Sequence, residues 1–458
     1  MQTLLNLLMK LPDGPSTPSL LQTIQLIARP TEFLDSCQER YGDPFTLRVL
    51  GLNSPPVVFF SHPKAIQEIF SLPSSQLDFR KATHVFEPLM GEQSIILQEG
   101  RSHQRQRQLM MPPFHGDRMR SYGQLICAIA EQTMAQWTVG SSFSIQKVMP
   151  QITLQIILQV VFGIAPGVRY QQLEKLLSSL LEDITNPLYS SLFFFPPLQQ
   201  DLGAWSPWGH FLRRRQQIDA LIYAEIAERR LQDNTSRTDI LSLLMLARDE
   251  NGQQMSDVEL RDQLVSLLLL GYETTAAGLT WAFYWIHSSP SVLEKLQTEL
   301  DTLGKDLEPE DKAQLPYLAA VCAETLRVNP LALICTPRQT LERLPLAGYD
   351  FDAGTILIPC IYLAHRRTEA FSDPQQFKPE RFFLSKFSPY EYLPFGGGSR
   401  GCIGMAFSMF EMKLVLSTIL SRFQLALKER RPVRPVRRGI TIVPSGGVPV
   451  VVTGDRNS

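Results

Sequence analysis

Between Ser256 and the Ser288-Ser289-Pro290 stop, the chain keeps a helical apolar pattern without a break. Ser256 and Glu259 are spaced as a capping box, in which each side chain satisfies a backbone donor at the helix start. Inside it, Leu264–Leu270 is apolar at every position but Ser266. A helix of that length, apolar on all sides, cannot lie on a wet surface. It must cross the middle of the fold with other elements packed around it. The rest of the chain is therefore expected to be mainly α, with small β-sheet subregions. Helix patterns fill residues 100–330 and 403–425, and strand-like parts fall near 45–62, 331–363 and 438–453. Phe45–Leu50 and Pro56–Ser61 read as strands split by a Gly-Leu-Asn-Ser-Pro turn. With no internal repeat and no low-complexity linker, residues 1–458 are expected to form one domain.

Composition narrows the classes. A chain of 458 residues can bury a large core, and a net charge of −1 gives nucleic acid no electrostatic footprint. The six cysteines (37, 127, 322, 335, 360, 402) contain no CxxC pair and no CxxCH motif, so structural zinc and covalently attached haem are not expected. Scattered free thiols suit a reducing, cytoplasmic setting. Met1–Met9 is apolar but shorter than the roughly 20 residues a bilayer span needs, and it lacks a small-residue cleavage site. No transmembrane anchor is expected, while a peripheral membrane contact stays compatible with this segment. The stretch 185–210 is rich in aromatics, including Tyr189, Phe193, Trp205 and Trp208. It reads as a core-facing turn, a lid over an apolar pocket, or a membrane-dipping loop.

On the long helix sits Gly271-Tyr272-Glu273-Thr274-Thr275. An ionisable side chain beside two hydroxyls in an apolar helix is costly unless it is satisfied or used. Threonine can bond back to the preceding turn and glycine weakens the helix, so a local gap for water or a small ligand is one reading. A kink with a solvated glutamate is the other. Near the C-terminus, Phe395-Gly396-Gly397-Gly398-Ser399-Arg400-Gly401-Cys402-Ile403-Gly404 sets one cysteine in a glycine-rich loop just before a helix. Such a loop and helix start favour a thiolate held against a metal. A glycine turn with a buried structural cysteine competes with that reading. The loop also satisfies G-x-G-x-x-G, but no βαβ unit follows it.

Glu324 and Arg327 lie at i, i+3 on one helix face, and Pro379-Glu380-Arg381-Phe382 offers another arginine in a proline-flanked turn. His103 and Arg107, at i, i+4, form a cationic helix face, and with Arg338 and Arg400 they suit carboxylates.

In order, Gly271-x-Glu273-Thr274, Glu324-x-x-Arg327, Pro379-Glu380-Arg381-Phe382 and Phe395-x-x-Gly398-x-Arg400-x-Cys402-x-Gly404 resemble the motifs of the cytochrome P-450 family. The resemblance spans essentially the whole chain and points to a bacterial-type member similar to hydroxylases of fatty acids and related lipophiles. It implies haem b between the long helix and the helix after the cysteine loop. Cys402 would be the iron ligand, with Phe395 shielding its sulfur, and Gly398 and Gly404 would let the backbone approach the macrocycle. His103, Arg107, Arg338 and Arg400 would hold the propionates, and Glu324, Arg327 and Arg381 would form a buried structural network. Glu273 would relay protons and Thr274 would hold water against bound O2. Ile95, Ile96, Leu270, Leu331, Leu333 and Val448 match pocket positions.

The activity implied is insertion of one oxygen atom from O2 into a lipophilic small molecule by a monomeric enzyme. Electrons would come from a ferredoxin or flavodoxin with its reductase, docking near Arg101, Arg105 and Lys413. Two positions depart from the usual pattern: His103 stands where tryptophan is common, and Leu270 where alanine or glycine is favoured. A peroxide-driven oxygenase, a haem-thiolate isomerase and a gas or lipid sensor are the rival readings, and the intact Glu273-Thr274 pair argues against each.

Overall fold

Ser256 begins the helix Asp257–Ser288 with both arms of the capping box in place, its hydroxyl accepting from the Glu259 amide and the Glu259 carboxylate accepting from its own. The helix stops before Pro290, which opens the next one. The computed structural model describes residues 11–456 apart from residues 50, 52–53, 187–188, 190–191, 195, 204, 303–307 and 430–431. The apolar Met1–Met9 segment and part of the Gly-Leu-Asn-Ser-Pro turn lie outside the described residues. Two compact units emerge. One comprises the described part of Met1–His84 with Ala323–Cys402 and Pro435–Arg437; the other comprises the described parts of Val85–Cys322, Ile403–Arg434 and Arg438–Ser458.

The first unit is organised by a five-stranded sheet in the order Phe45–Leu47, Val57–Phe60, Ile356–Pro359, Arg338–Thr340, Leu77–Asp78. Val57–Phe60 is buried at every position rather than at alternate ones, because both faces of this strand are covered. Val57 and Phe59 join Phe33, Leu34 and Phe45 on one side, and Val58 and Phe60 join Ile69 and Phe351 on the other. Strand periodicity thus sorts one apolar run into two cores.

In the second unit the long helix packs along Ile145–Val160, Pro207–Arg230 and Met405–Arg422. Consecutive residues Leu260–Val265 are all buried, Arg261, Asp262 and Gln263 among them, so this stretch is enclosed on every side. Burial on every side forces its polar side chains to find partners. Asp262 accepts from the Gln93 amide at 2.8 Å, Gln263 from the Ile95 amide at 3.0 Å, and Ser266 meets the Ser94 hydroxyl at 2.7 Å. These bonds fasten segment 90–96, with Ile95 and Ile96, to the helix one to three turns before Glu273. A three-stranded sheet of Ser142–Ser144, Pro449–Asp455 and Phe423–Leu427 closes this unit. Among the described residues no helix is long and apolar enough to cross a membrane.

Candidate active site

The cysteine loop coils on three short backbone bonds. Gly396 donates to the Leu393 carbonyl at 2.9 Å, Gly401 to Gly398 at 3.2 Å, and Cys402 to Phe395 at 3.0 Å. Gly398 has φ +65, which glycine adopts without penalty. A Cβ on Gly397 would come within 2.4 Å of the Phe70 ring, so Phe70, from the helix Pro63–Ser71, lies flat on the loop. Five of the six cysteines are buried and Cys402 is exposed, which removes the reading of a buried structural thiol. Two residues on, Gly404 precedes the helix Met405–Arg422, whose start carries no side-chain cap. Gly404 has φ −83, open to any residue, and a Cβ there would meet no protein atom within 4 Å. Neither backbone strain nor protein packing accounts for a glycine at this point. The open space beside it leaves room for a flat group against the backbone.

Arg338 supplies a second mark of such a group. It begins the strand Arg338–Thr340, is 2% exposed, and donates to the Thr336 carbonyl at 2.7 Å. Its guanidinium lies 4.9 Å from the Phe70 ring centre and 5.6 Å from that of Phe79. Among the described residues no carboxylate pairs with it, and burial pulls its pKa down to about 10. A buried cation without an anion is costly, and a carboxylate-bearing ligand would relieve it. Arg400 stacks on the same Phe79 ring at 4.2 Å. In the second unit, His103 is buried and Arg107 half-buried, one turn apart on the helix Gly100–Met110.

The first unit also brings a distant arginine, Arg381, to a glutamate–arginine pair one helical turn apart. Arg327 grips Glu324 through Nε and Nη2 at 2.7 and 2.8 Å, and Arg381 reaches the same carboxylate at 2.9 Å. The Lys378 amide adds a bond of 2.8 Å. Glu324 and Arg327 are fully buried and Arg381 nearly so. The other arm of Arg327 donates to the carbonyls of His365 and Pro374 at 2.9 and 2.8 Å. His365 in turn accepts from the Leu393 amide through Nε2 at 2.9 Å. Burial drives its pKa down to about 3, helped by the charge of Arg327, so the ring is neutral and able to accept. The Tyr392 hydroxyl donates to the Ala323 carbonyl at 3.0 Å. Thus the network is tied at two adjacent residues to the segment that begins the cysteine loop.

In the second unit, Glu273 is half-buried on a helix that is continuous through Gly271. The kinked, solvated arrangement is not what forms. A Cβ on Gly271 would stand 3.4 Å from Ile157, an ordinary contact, so packing against Ile145–Val160 does not itself demand glycine here. Glu273 Oε1 accepts from the buried Thr441 hydroxyl at 3.0 Å. Its pKa is raised to about 7 by burial, opposed by the Thr441 bond and the charge of Arg438. Thr274 Oγ1 donates to the Leu270 carbonyl at 2.6 Å, and Thr275 meets Ser408 of Met405–Arg422 at 3.2 Å.

Of the pocket positions, Ile95 and Val448 are buried and Ile96 and Leu270 half-buried in the second unit. In the first, Leu331 is buried, and Leu333 packs against the core of Phe45 and Phe59. Val448 has φ +52, a region β-branched residues seldom enter. Within the aromatic stretch, Phe193 and Trp208 pack with Phe211 while Trp205 is exposed; residue 195 lies outside the described residues. Of the three expected docking cations, Arg101 is exposed, while the other two are engaged within the protein. Arg105 is engaged by Asp249 and Glu259, both at 2.6 Å, and Lys413 is turned into the Ala313 carbonyl. Motif reading passed over Phe70, Phe79, His365 and Thr441, which carry no local signature. A buried His beside the Arg327 network and a threonine opposite Glu273 become visible only in three dimensions.

Comparison with known proteins agrees with this arrangement. The family model described as cytochrome P450 matches residues 12–448. Cytochrome P450 135B1 of Mycobacterium tuberculosis is 36% identical over 98% of this chain and 93% of its own. Cytochrome P450 135A1 of the same species is 33% identical over 95% and 94%. Among solved structures, a retinoic acid-bound cyanobacterial CYP120A1 overlays with a TM-score of 0.82, covering 97% of this chain and 100% of its own at 23% identity.

Removing the acid at the centre of the charge network strands two buried guanidiniums. Glu324→Ala is expected to cost about 3–5 kcal/mol. Denaturant unfolding of the variant beside the parent protein measures it, and a loss below about 1 kcal/mol would contradict the reading of a tightly coupled network.

Proposed function

The chain belongs to the cytochrome P450 family, and from that membership we propose that it hydroxylates a lipophilic small molecule, such as a fatty acid or terpenoid. Its activity is that of a haem-thiolate monooxygenase using O2. The observation that carries the reading is the exposed Cys402 thiol, set in a coiled glycine loop where Gly404 leaves the backbone open to a flat group.

The absence of a CxxCH motif supports haem b, held without covalent attachment. Cys402 Sγ would ligate its iron; Arg338 and Arg400, with His103 and Arg107, would hold the propionates, and Phe395 would shield the sulfur. Bound there, the haem supplies O2 activation, with the thiolate's electron density favouring O–O cleavage. The chain's own residues manage protons and water. Thr274 Oγ1 has its hydrogen tied to Leu270, so its oxygen is free to accept from a water. Glu273, with a pKa near 7, exchanges a proton readily at neutral pH. The apolar positions Ile95, Ile96, Leu270, Leu331, Leu333 and Val448 would line the substrate site. Electrons would come from a ferredoxin or flavodoxin with its reductase, in the cytoplasm, to a monomer acting as a single catalytic domain.

Three measurements test this reading. Thiolate ligation gives the reduced, carbon monoxide-bound protein a strongly red-shifted Soret band; a spectrum typical of imidazole ligation would exclude Cys402 as the ligand. Gly404→Ala is expected to leave the haem-free protein's unfolding midpoint nearly unchanged while lowering its haem content after reconstitution. Equal haem content in variant and parent would show that the glycine has no part in cofactor approach. Thr274→Ala should keep the haem but divert electrons to hydrogen peroxide, and an unchanged yield of product per electron would rule out its role in holding water.

A further inference from the structure

We propose that Gln263 is a positioning residue for substrate. Its side-chain amide clasps segment 93–95 to the long helix and so fixes Ile95 and Ile96 as the end wall of the substrate site. The inference rests on reading Ile95, Ile96, Leu270 and Thr274 as residues of that site.

Across Leu260–Leu270 every residue is buried except Leu267 and Leu270. These two stand four and seven residues after Gln263, and Thr274, also half-buried, stands eleven after it. Such spacings return to one face of a helix, so the four residues share a stripe. The stripe is partly open from Leu267 to Thr274 and closed at Gln263, which is fully buried. What lies against it at the closed end is segment 93–95. At a rise of about 1.5 Å per residue, that end is about 16 Å along the helix from Thr274.

Segment 91–98 belongs to no helix or sheet, so its buried backbone groups need individual partners. Turns serve Ser94, whose amide donates to the Gly91 carbonyl at 3.2 Å and whose carbonyl accepts from Leu97 at 2.9 Å. The Gln93 carbonyl and the Ile95 amide, on either side of Ser94, meet Gln263. Its Nε2 donates to the carbonyl, and its Oε1 accepts from the amide at 3.0 Å. One carboxamide thus takes the place of a residue in a neighbouring parallel strand. An apolar side chain of similar size would break both bonds where Ser94 and Ile95 are buried and water is a poor substitute.

Neighbouring ties press the segment onto the helix. Asp262 accepts from the Gln93 amide at 2.8 Å, and Arg261 donates to the Met90 carbonyl at 3.2 Å. One turn on, Ser266 meets the Ser94 hydroxyl at 2.7 Å. Gly91 has φ +90, and a Cβ there would stand 2.1 Å from Asp262 Oδ1, so only glycine allows so close an approach. Gln263 adds register to this closeness, because it bonds the backbone at Ile95 itself. Apolar contact alone would let two isoleucines slide along the leucines of the helix, whereas hydrogen bonds are directional. The substrate that such a site suits is an elongated lipophile whose far end meets the wall. The wall's position then selects which carbon lies beside Thr274.

Hydrogen exchange and product analysis of the haem-loaded protein test the inference together. In Gln263→Leu, amides of residues 91–98 should exchange about tenfold faster, while those of Leu279–Phe283 on the same helix keep the parent's rate. Given dodecanoic acid or geraniol, whichever the parent oxidises, this variant should lower the share of the leading product and spread oxidation to neighbouring positions. Gln263→Glu keeps the acceptor for Ile95 and loses the donor, so it should fall between parent and leucine variant in both measurements. It also carries the test if the leucine variant fails to fold. Unchanged exchange at 91–98, or faster exchange along the whole helix, would overturn the clasp. Faster local exchange with unaltered product positions would overturn its role in selectivity. If the parent oxidises neither compound, the prior reading of a lipophilic substrate falls instead, and exchange alone decides the clasp.

Discussion

A fully buried carboxylate with four donors governs the first unit. Glu324 takes two bonds from Arg327, one from Arg381 and one from the Lys378 amide. Arg327 comes from the same helix, whereas Lys378 and Arg381 come from a segment more than fifty residues on that the carboxylate draws in. Arg327 also reaches the carbonyls of His365, Pro374 and Gln376, so the helix Pro316–Val328 anchors irregular backbone that has no sheet or helix ladder of its own. Irregular backbone inside a protein needs such partners, because its amides and carbonyls cannot turn to water. The network's value is therefore geometric. An apolar replacement of equal volume could match its stability, but would leave those carbonyls unsatisfied and the segment leading to the cysteine loop undirected.

Directed backbone is what a metal-ligating loop requires. Leu393 is held by His365 and Tyr392 by Ala323, and the loop then turns on glycine torsions with Phe70 pressed against it. Phe70 also faces Arg338, so one aromatic ring braces both the thiol-bearing loop and the buried cation expected to meet the cofactor's carboxylates. Loop and cation are set by the same packing, and a shift in one disturbs the other.

The sequence made some of this plain. Ser256, Glu259 and the apolar run after them specify a helix whose ends match the structure, because capping and periodicity are local signals. The glycine loop was equally legible as a motif, and so was its cysteine. What could not be read locally were the contacts made across long separations. His365 looks like any histidine in a turn, and Thr441 like any strand threonine; both gain meaning from a partner far away in sequence. The docking cations erred for the same reason. Arg105 resembles a surface charge until Asp249 and Glu259 close around it. The reasons for glycine also divide by structure: Gly398 answers to its torsion, Gly397 to the Phe70 ring, and Gly404 to neither.

Two of the molecule's carboxylates, Glu324 and Glu273, are partnered in different ways. Glu324 faces two guanidiniums, which are donors only, in fixed bidentate and single-bond contacts. Glu273 faces one hydroxyl that donates or accepts as required, with an arginine nearby rather than in contact. The first arrangement suits a structural joint. The second has a partner able to serve either form of the acid, beside a small cavity of about 30 Å³. A group that must gain and lose a proton at each turnover needs that softness, and a group that must hold a loop in place needs its opposite. The choice of partner, guanidinium or hydroxyl, is what separates the two roles.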